Sequence, residues 1–226
     1  MTRGTDPLHR CQALSMLLRV LASAAVVGAV IASPVVMHTA APLSAAAPLA
    51  NVTFNLDPAH TMVQFKVRHL GLSTVTGRFA TFTGSFQLDP ASGTASNATI
   101  SIDVASINTD NDRRNAHLKS SDFFAADSFP KITFVSTSIQ KLAGNKYKVN
   151  GNLTMRGVTK PVTLDGELAG TRQTPRGWLA ALSLTGTVKR KDFGLMWDRV
   201  TEGVAVVADD ITMQIDVEAN EAKAAP

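Results

Sequence analysis

Residues 147–168, YKVNGNLTMRGVTKPVTLDGEL, decide what kind of fold this chain can make. Tyr147, Val149, Gly151, Leu153 and Met155 alternate with polar residues, and after Arg156-Gly157 the alternation resumes through Val162, Leu164, Gly166 and Leu168. Side chains on a strand point to opposite faces in turn, so a period of two marks a strand with one face on a core. Two such runs joined by a short glycine-containing turn read as antiparallel neighbours.

The same period extends in both directions. Before the hairpin it is carried by Val63, Phe65 and Val67, by Phe82, Gly84, Phe86 and Leu88, by Ala98, Ile100, Ile102 and Val104, and by Ile132 and Phe134. After it come Trp178 to Val188 and then Ile211, Met213, Ile215 and Val217. Turn chemistry separates the runs at Asp89-Pro90-Ala91-Ser92-Gly93, Ala143-Gly144-Asn145 and Thr174-Pro175-Arg176-Gly177. Eight antiparallel strands avoid exposed edges most simply by closing into a barrel, whose interior either fills with side chains or holds one small ligand. Gly84, Gly151, Gly166 and Gly186 fall in register with apolar neighbours. If those faces point inward the lumen loses side-chain volume at each; otherwise the glycines mark bulges or corners.

One stretch interrupts the strands. Residues 106–124, SINTDNDRRNAHLKSSDFF, concentrate charge, amide and imidazole groups. Thr109 or Asp110 suits an N-cap, Asp112 suits the first turn, and Ser120-Ser121-Asp122 ends a short helix. Residues 114, 117, 118 and 121 share a face, so Arg114 and His117 are expected to point together toward whatever Leu118 covers.

The first fifty residues have a different composition. Arg3, Arg10 and Arg19 precede an apolar run from Val20 to Met37, and the small-residue segment Ala40 to Ala50 follows. That layout predicts a secretory signal over residues 1–50, cleaved between Ala45 and Ala50, with one domain over residues 51–226. An uncleaved N-terminal anchor is the competing reading, weakened by Ser23, Ser33, Pro34 and the predominance of alanine. The expected location is therefore periplasmic or secreted. Cys11 would leave with the leader, and a cysteine-free domain can use neither disulfides nor thiolates. The leader holds three of the 22 basic residues and one of the 18 acidic ones, so the formal charge of +4 falls to +2 without it. No basic block interleaved with aromatics points to nucleic acid.

Chemistry-bearing motifs are sparse. His60, His69 and His117 show no short metal-ligand spacing, so no metal site is expected. No nucleophile elbow, phosphate-binding loop or dinucleotide fingerprint is present, and no two aspartates stand out as a catalytic pair. Arg68, Arg114 and Lys119 could meet an anion, since the guanidinium fork suits phosphate. Trp197, in the irregular segment Lys191 to Trp197, could line a barrel mouth or simply pack in the core.

Five separated segments resemble one family, the YceI-like polyisoprenoid-binding proteins. They are LDPAHTMVQFKVRHLGLSTVTGRF (56–79), residues 106–124, FPKITFVS (129–136), VNGNLTMRGVTKPVTL (149–164) and DFGLMW (192–197). The resemblance implies an all-β, lipocalin-like, eight-stranded antiparallel barrel with one short helix, enclosing an elongated apolar cavity for an isoprenoid chain such as a polyprenyl phosphate or a quinone tail. It implies no enzymatic activity and no cofactor beyond the lipid ligand. The lumen would be lined by Val63, Phe65, Val67, Ile100, Ile102, Phe134, Leu153, Leu182, Leu184, Met213 and Ile215, with Trp197 at the mouth. Arg68, His69, Arg114 and His117 would receive the headgroup. Transient membrane contact would serve lipid exchange, and a homodimer is compatible with the sequence. Asn115 departs from the family's usual aspartate beside the arginine corresponding to Arg114, which either frees that arginine for an anion or disorients it. Two rival readings remain: an enzyme using the histidines with an aspartate, and an interaction module with a filled barrel.

Overall fold

The computed structural model describes residues 51–201 and 203–223, so the expected leader over residues 1–50, its Cys11 and its cleavage lie outside the described residues. Strands β1 (Val52–Leu56), β2 (Met62–His69), β3 (Ser73–Phe79), β4 (Phe82–Leu88) and β5 (Ala95–Asp103) precede a two-residue β6 (Ile107–Asn108) and the helix α1 (Asp112–Lys119). Strands β7 (Lys131–Lys141), β8 (Lys146–Met155), β9 (Val158–Thr174) and β10 (Gly177–Lys189) follow. A small hairpin of β11 (Val200–Thr201) and β12 (Val204–Ala205) then leads into β13 (Val207–Glu221).

Eight of these strands close an antiparallel barrel in the order β1-β4-β5-β7-β8-β9-β10-β13, with β13 returning to β1 through the pairs Phe54–Glu221 and Leu56–Ala219. The architecture is the expected one, but its membership differs by a strand. The run Val63 to Val67 lies in β2, outside the ring, and β1 takes the eighth place. Strand β1 is short, with Phe54 buried and Leu56 half-buried, and β3 carries Gly77 between Val75 and Phe79. Val52, Phe54 and Leu56 do alternate with polar residues, but the run is only five residues long, and Gly77 interrupts the apolar face of β3.

The three strands of the sheet outside the ring, β2, β3 and β6, widen one end. Along a single edge of β13, residues from Val207 to Asp216 pair with β2 and residues from Ala219 to Glu221 pair with β1. The β1–β2 turn at residues 57–61 sits at that change of partner, and β3 continues from β2 toward β6. The same end also holds α1, the 3-10 turn Arg190–Phe193 and the segment between it and β13. The β8–β9 turn is Arg156-Gly157, both at positive φ (49° and 74°), the twist a two-residue hairpin requires. Arg156 donates from there to the carbonyls of Ser121 and Gly194, tying the turn to the helix end.

The core has two parts. Phe54 stacks on Phe86 at 5.3 Å and packs with Leu88, Ala180, Val217 and Ala219 along the β1 seam. A larger cluster runs through the barrel to Phe123, Phe124, Phe193 and Leu195 at the helical end.

Candidate functional site: an apolar lumen closed by the helical end

A cavity of about 240 Å³ runs inside the barrel. Its lining extends from Leu88, Ala95 and Ile139, near the β4–β5 and β7–β8 turns, to Leu118, Phe123 and Phe124 beneath α1. The eleven strand side chains expected inside, from Val63 to Ile215, all line it, because strand parity fixes which way they point. Trp197 does not line it. The indole lies one layer out, 5.3 Å from Phe123, which does.

Of the four glycines in register with apolar residues, Gly166 lines the cavity, whereas Gly84, Gly151 and Gly186 are covered by neighbouring side chains, as is Gly77 on β3. A Cβ at Gly151 would lie 2.3 Å from the ring of Phe134, and one at Gly77 would lie 2.2 Å from the ring of Phe65. At Gly84 and Gly186 it would meet Leu56 and Leu164 at 2.8 and 2.6 Å. Each glycine thus lets an inward side chain lie flat against the sheet, the arrangement by which an aromatic covers a strand glycine. A gap left by one residue type is filled by another. The barrel is therefore neither solid nor wide, and its free space depends on where Phe65 and Phe134 lie.

The helical end is built differently from expectation. Asn111, rather than Thr109 or Asp110, caps α1, its side chain accepting from Arg114 N at 2.9 Å. Arg114 does not turn with His117 toward the space under Leu118. Its Nε donates to Thr109 Oγ1 at 2.8 Å and its Nη2 to Thr109 O at 2.6 Å. Asn115 Oδ1 accepts from both the backbone N and the Oγ1 of Thr109, at 2.8 and 2.7 Å. Asn115 thus keeps the orienting role through Thr109, which is buried, and leaves Arg114 committed to the loop. His117 pairs with Asp122 at 3.0 Å and stands edge-on to Phe123 and Trp197 at 5.0 and 5.3 Å.

The four residues expected to form a headgroup collar are not brought together. Arg68 sits on the outer face of β2, opposite in parity to Val67, and donates to Leu72 O and Thr74 Oγ1. His69 pairs with Val207 in the sheet, and neither it, Arg68, Arg114 nor His117 lines the cavity. Among the described residues, one charged residue does so with its side chain enclosed: Arg190, only 3% exposed. Its signal was present in the sequence, since residues 178 to 188 alternate on even numbers and Arg190 continues that parity past the end of β10.

A second constellation joins the β1–β2 turn to β13. Donor atoms of Asp57, His60 and Glu218 lie within 4.8 Å of one another, a set that could hold a divalent cation. The imidazole already occupies the cation's place: His60 Nδ1 is 3.0 Å from Asp57 Oδ2 and 3.7 Å from Glu218 Oε1. The Asp57 hydrogen bond, then the Glu218 charge, raises the His60 pKa above its ordinary value, while the same hydrogen bond lowers that of Asp57. Sequence spacing could not show this set, because Glu218 arrives from the far end of the chain.

The likeness to known proteins covers the barrel. A UPF0312 protein of Shewanella baltica is 36% identical over 159 residues, spanning 70% of this chain and 82% of that protein. The crystal structure of a Campylobacter jejuni YceI protein is 38% identical with a TM-score of 0.62, covering 74% of this chain and 97% of the other. Burkholderia cenocepacia BcnA is 26% identical with a TM-score of 0.64, over 73% and 99% of the two chains. A polyisoprenoid binding domain from Saccharophagus degradans, 16% identical with a TM-score of 0.54 over 76% and 99% of the two chains, shares the fold. Residues 54–219, from the first buried phenylalanine of β1 to the alanine that pairs with β1 at the closing seam, match the family described as YceI-like domain, and the chain belongs to it.

Proposed function

We propose that the protein binds and carries an isoprenoid-type lipid, its tail in the barrel, and that it does so after export to the periplasm or outside the cell. The observation that carries this reading is the apolar lumen of about 240 Å³. At roughly 30 Å³ per water-sized group, that space takes a slender chain of about eight carbon-sized groups with every side chain in place. Burying eight such groups at about 0.8 kcal/mol each gives roughly 6 kcal/mol, a Kd in the tens of micromolar before ordering costs. That space stays open only while Phe65 and Phe134 lie flat on the glycines they cover. The name of the Saccharophagus domain, polyisoprenoid binding, is consistent with this ligand class. Binding rather than catalysis fits the geometry, since the His60–Asp57 and His117–Asp122 pairs lie at the surface and line no part of the lumen.

Exchange with a membrane would use the widened end. Leu72, Met196, Val200 and Val204 are exposed there, and the turn holding Leu72 is tied to the hairpin's base by Leu70 N donating to Val206 O at 3.1 Å. Transfer of a fluorescent prenol from vesicles should slow several-fold in Leu72→Ser/Val200→Ser, and an unchanged transfer rate removes this role. Native mass spectrometry of gently purified protein, followed by extraction of the co-purified lipid, tests the carrier reading. A prenyl lipid at one per chain is expected. An empty protein that also fails to bind farnesol overturns it.

A further inference from the structure

Arg190 is the one charged side chain among the described residues that is both buried and part of the cavity lining. Four of its five N–H groups are committed to carbonyls. Nε donates to Ala208 O at 3.1 Å, Nη1 to Leu195 O and Trp197 O at 2.6 Å each, and Nη2 to Val207 O at 3.3 Å. Val207 and Ala208 lie where β13 shifts register against β2, between the pairs Val207–His69 and Ile211–Val67. One Nη2 hydrogen is left over.

Carbonyl dipoles satisfy the hydrogen bonds of a guanidinium but leave its unit charge. Burial of that charge is costly unless an anion accompanies it. Among the described residues no carboxylate lies at ion-pair distance from Arg190. The nearby acids make their direct contacts elsewhere: Asp198 with Lys191 Nζ at 2.8 Å, Asp210 with Lys189 Nζ at 2.8 Å, and Asp209 Oδ1 with the backbone N of Lys191 at 3.0 Å, while the Arg190 charge acts on Asp198 only through space, behind Lys191. Around the guanidinium, Val188, Leu195, Val207 and Ile211 line the same end of the cavity. An apolar tube with a cation at one end that makes no direct ion pair matches an amphiphile with an anionic head.

We propose that Arg190 seats the headgroup of the lipid, an oxyanion of the phosphate or carboxylate type, at the inner end of the lumen beneath residues 194–197 and the start of β13. The proposal rests on the carrier reading above and adds the chemistry of the head and the direction of the tail. The tail then runs from Arg190 past Phe65 and Phe134 toward Leu88 and Ile139. A neutral prenol or quinone would leave the charge without a direct ion pair and bind less tightly.

Isothermal titration with farnesol, farnesyl phosphate and farnesoic acid tests it on the whole chain. Both anions are expected to bind the unaltered protein about tenfold or more tightly than farnesol, the worth of one charge-assisted contact. Arg190→Gln should bring the three within a few-fold of one another without weakening farnesol, and Arg190→Lys, which keeps the charge, should retain most of the preference. An advantage for the phosphate alone identifies the head as a phosphate, and one for both anions identifies any oxyanion. Equal affinity for farnesol and the anions in the unaltered protein overturns the assignment, as does a preference that survives Arg190→Gln or disappears in Arg68→Gln. If Arg190→Gln does not fold, the unaltered protein, Arg190→Lys and Arg68→Gln decide the matter. Failure of all three probes to bind overturns the carrier reading itself, and this one with it.

Discussion

Replacing Gly151 by alanine should both destabilise the barrel and constrict its lumen. A Cβ there would lie 2.3 and 2.4 Å from Phe134 Cζ and Cε2, and 2.5 Å from the carbonyl oxygen of Val135. Non-bonded carbons rest about 3.5–4.0 Å apart, so the ring must retreat by at least about 1.2 Å. The only direction open to it is inward, into the cavity that Phe134 lines. The Val135 carbonyl cannot rotate away, because it belongs to β7 where that strand pairs with β8, and it moves only if the strands part. Overpacking of this kind costs about 1–3 kcal/mol. For a chain of this size that lowers Tm by roughly 2 to 12 °C. Urea and thermal unfolding measure the first effect and titration with farnesol the second, which should weaken several-fold. Phe134→Leu in the same background removes the ring but not the carbonyl, so it should recover part of the loss, with a coupling of at least about 0.5 kcal/mol between the two sites. A Gly151→Ala protein as stable as the parent, or strictly additive changes, would refute the view that the ring lies flat on the glycine.

Three further outcomes are expected. The Asp57 and Glu218 contacts favour the protonated form of His60 in the native state, so its stabilisation is complete below the ordinary histidine pKa of about 6.5 and is lost as pH rises through the raised native value. The Asp57 share is present above about pH 3.9 and is lost as pH falls through its depressed native value. Thermal unfolding from pH 6 to 9 should therefore lose Tm faster in the parent than in His60→Ala, and parallel curves would discount the latch. Tyr147 is the chain's single tyrosine, its hydroxyl donates to Gly93 O at 2.7 Å, and burial raises its pKa. Absorbance near 295 nm should show its ionisation above pH 10, and Tyr147→Phe should cost about 1–3 kcal/mol by leaving a buried carbonyl without its donor. Asn115→Asp should be neutral to stabilising by up to about 1 kcal/mol in urea unfolding, because a carboxylate accepts the same two Thr109 donors more strongly; a marked loss of stability would contradict the hydrogen-bond assignment.

What could be read before folding followed from local rules. A period of two says which side chains share a face, so the interior positions on β2, β5, β7, β8, β10 and β13 were legible one strand at a time. Strands β1 and β3 were not counted, because β1 alternates over only five residues and a glycine interrupts the apolar face of β3. The helix was legible in position but not in its contacts. Arg114 and His117 share a helical face, yet Thr109 captures the first and Asp122 the second, and neither partner follows from spacing on the helix.

The sequence by itself determined an antiparallel all-β domain with an apolar interior and one helical interruption, because alternation and turn residues are properties of neighbours along the chain. Only the tertiary structure decided how much of that interior is empty, since the room left by a glycine belongs to whichever ring faces it from the next strand. It also decided the charges. Arg190 continues the parity of an apolar strand and reads as its end; its meaning comes from carbonyls at an irregularity in β13 and from acids in direct contact with Lys189 and Lys191. Those partners are brought together by the closing of the barrel, and no rule acting along the chain could have assembled them.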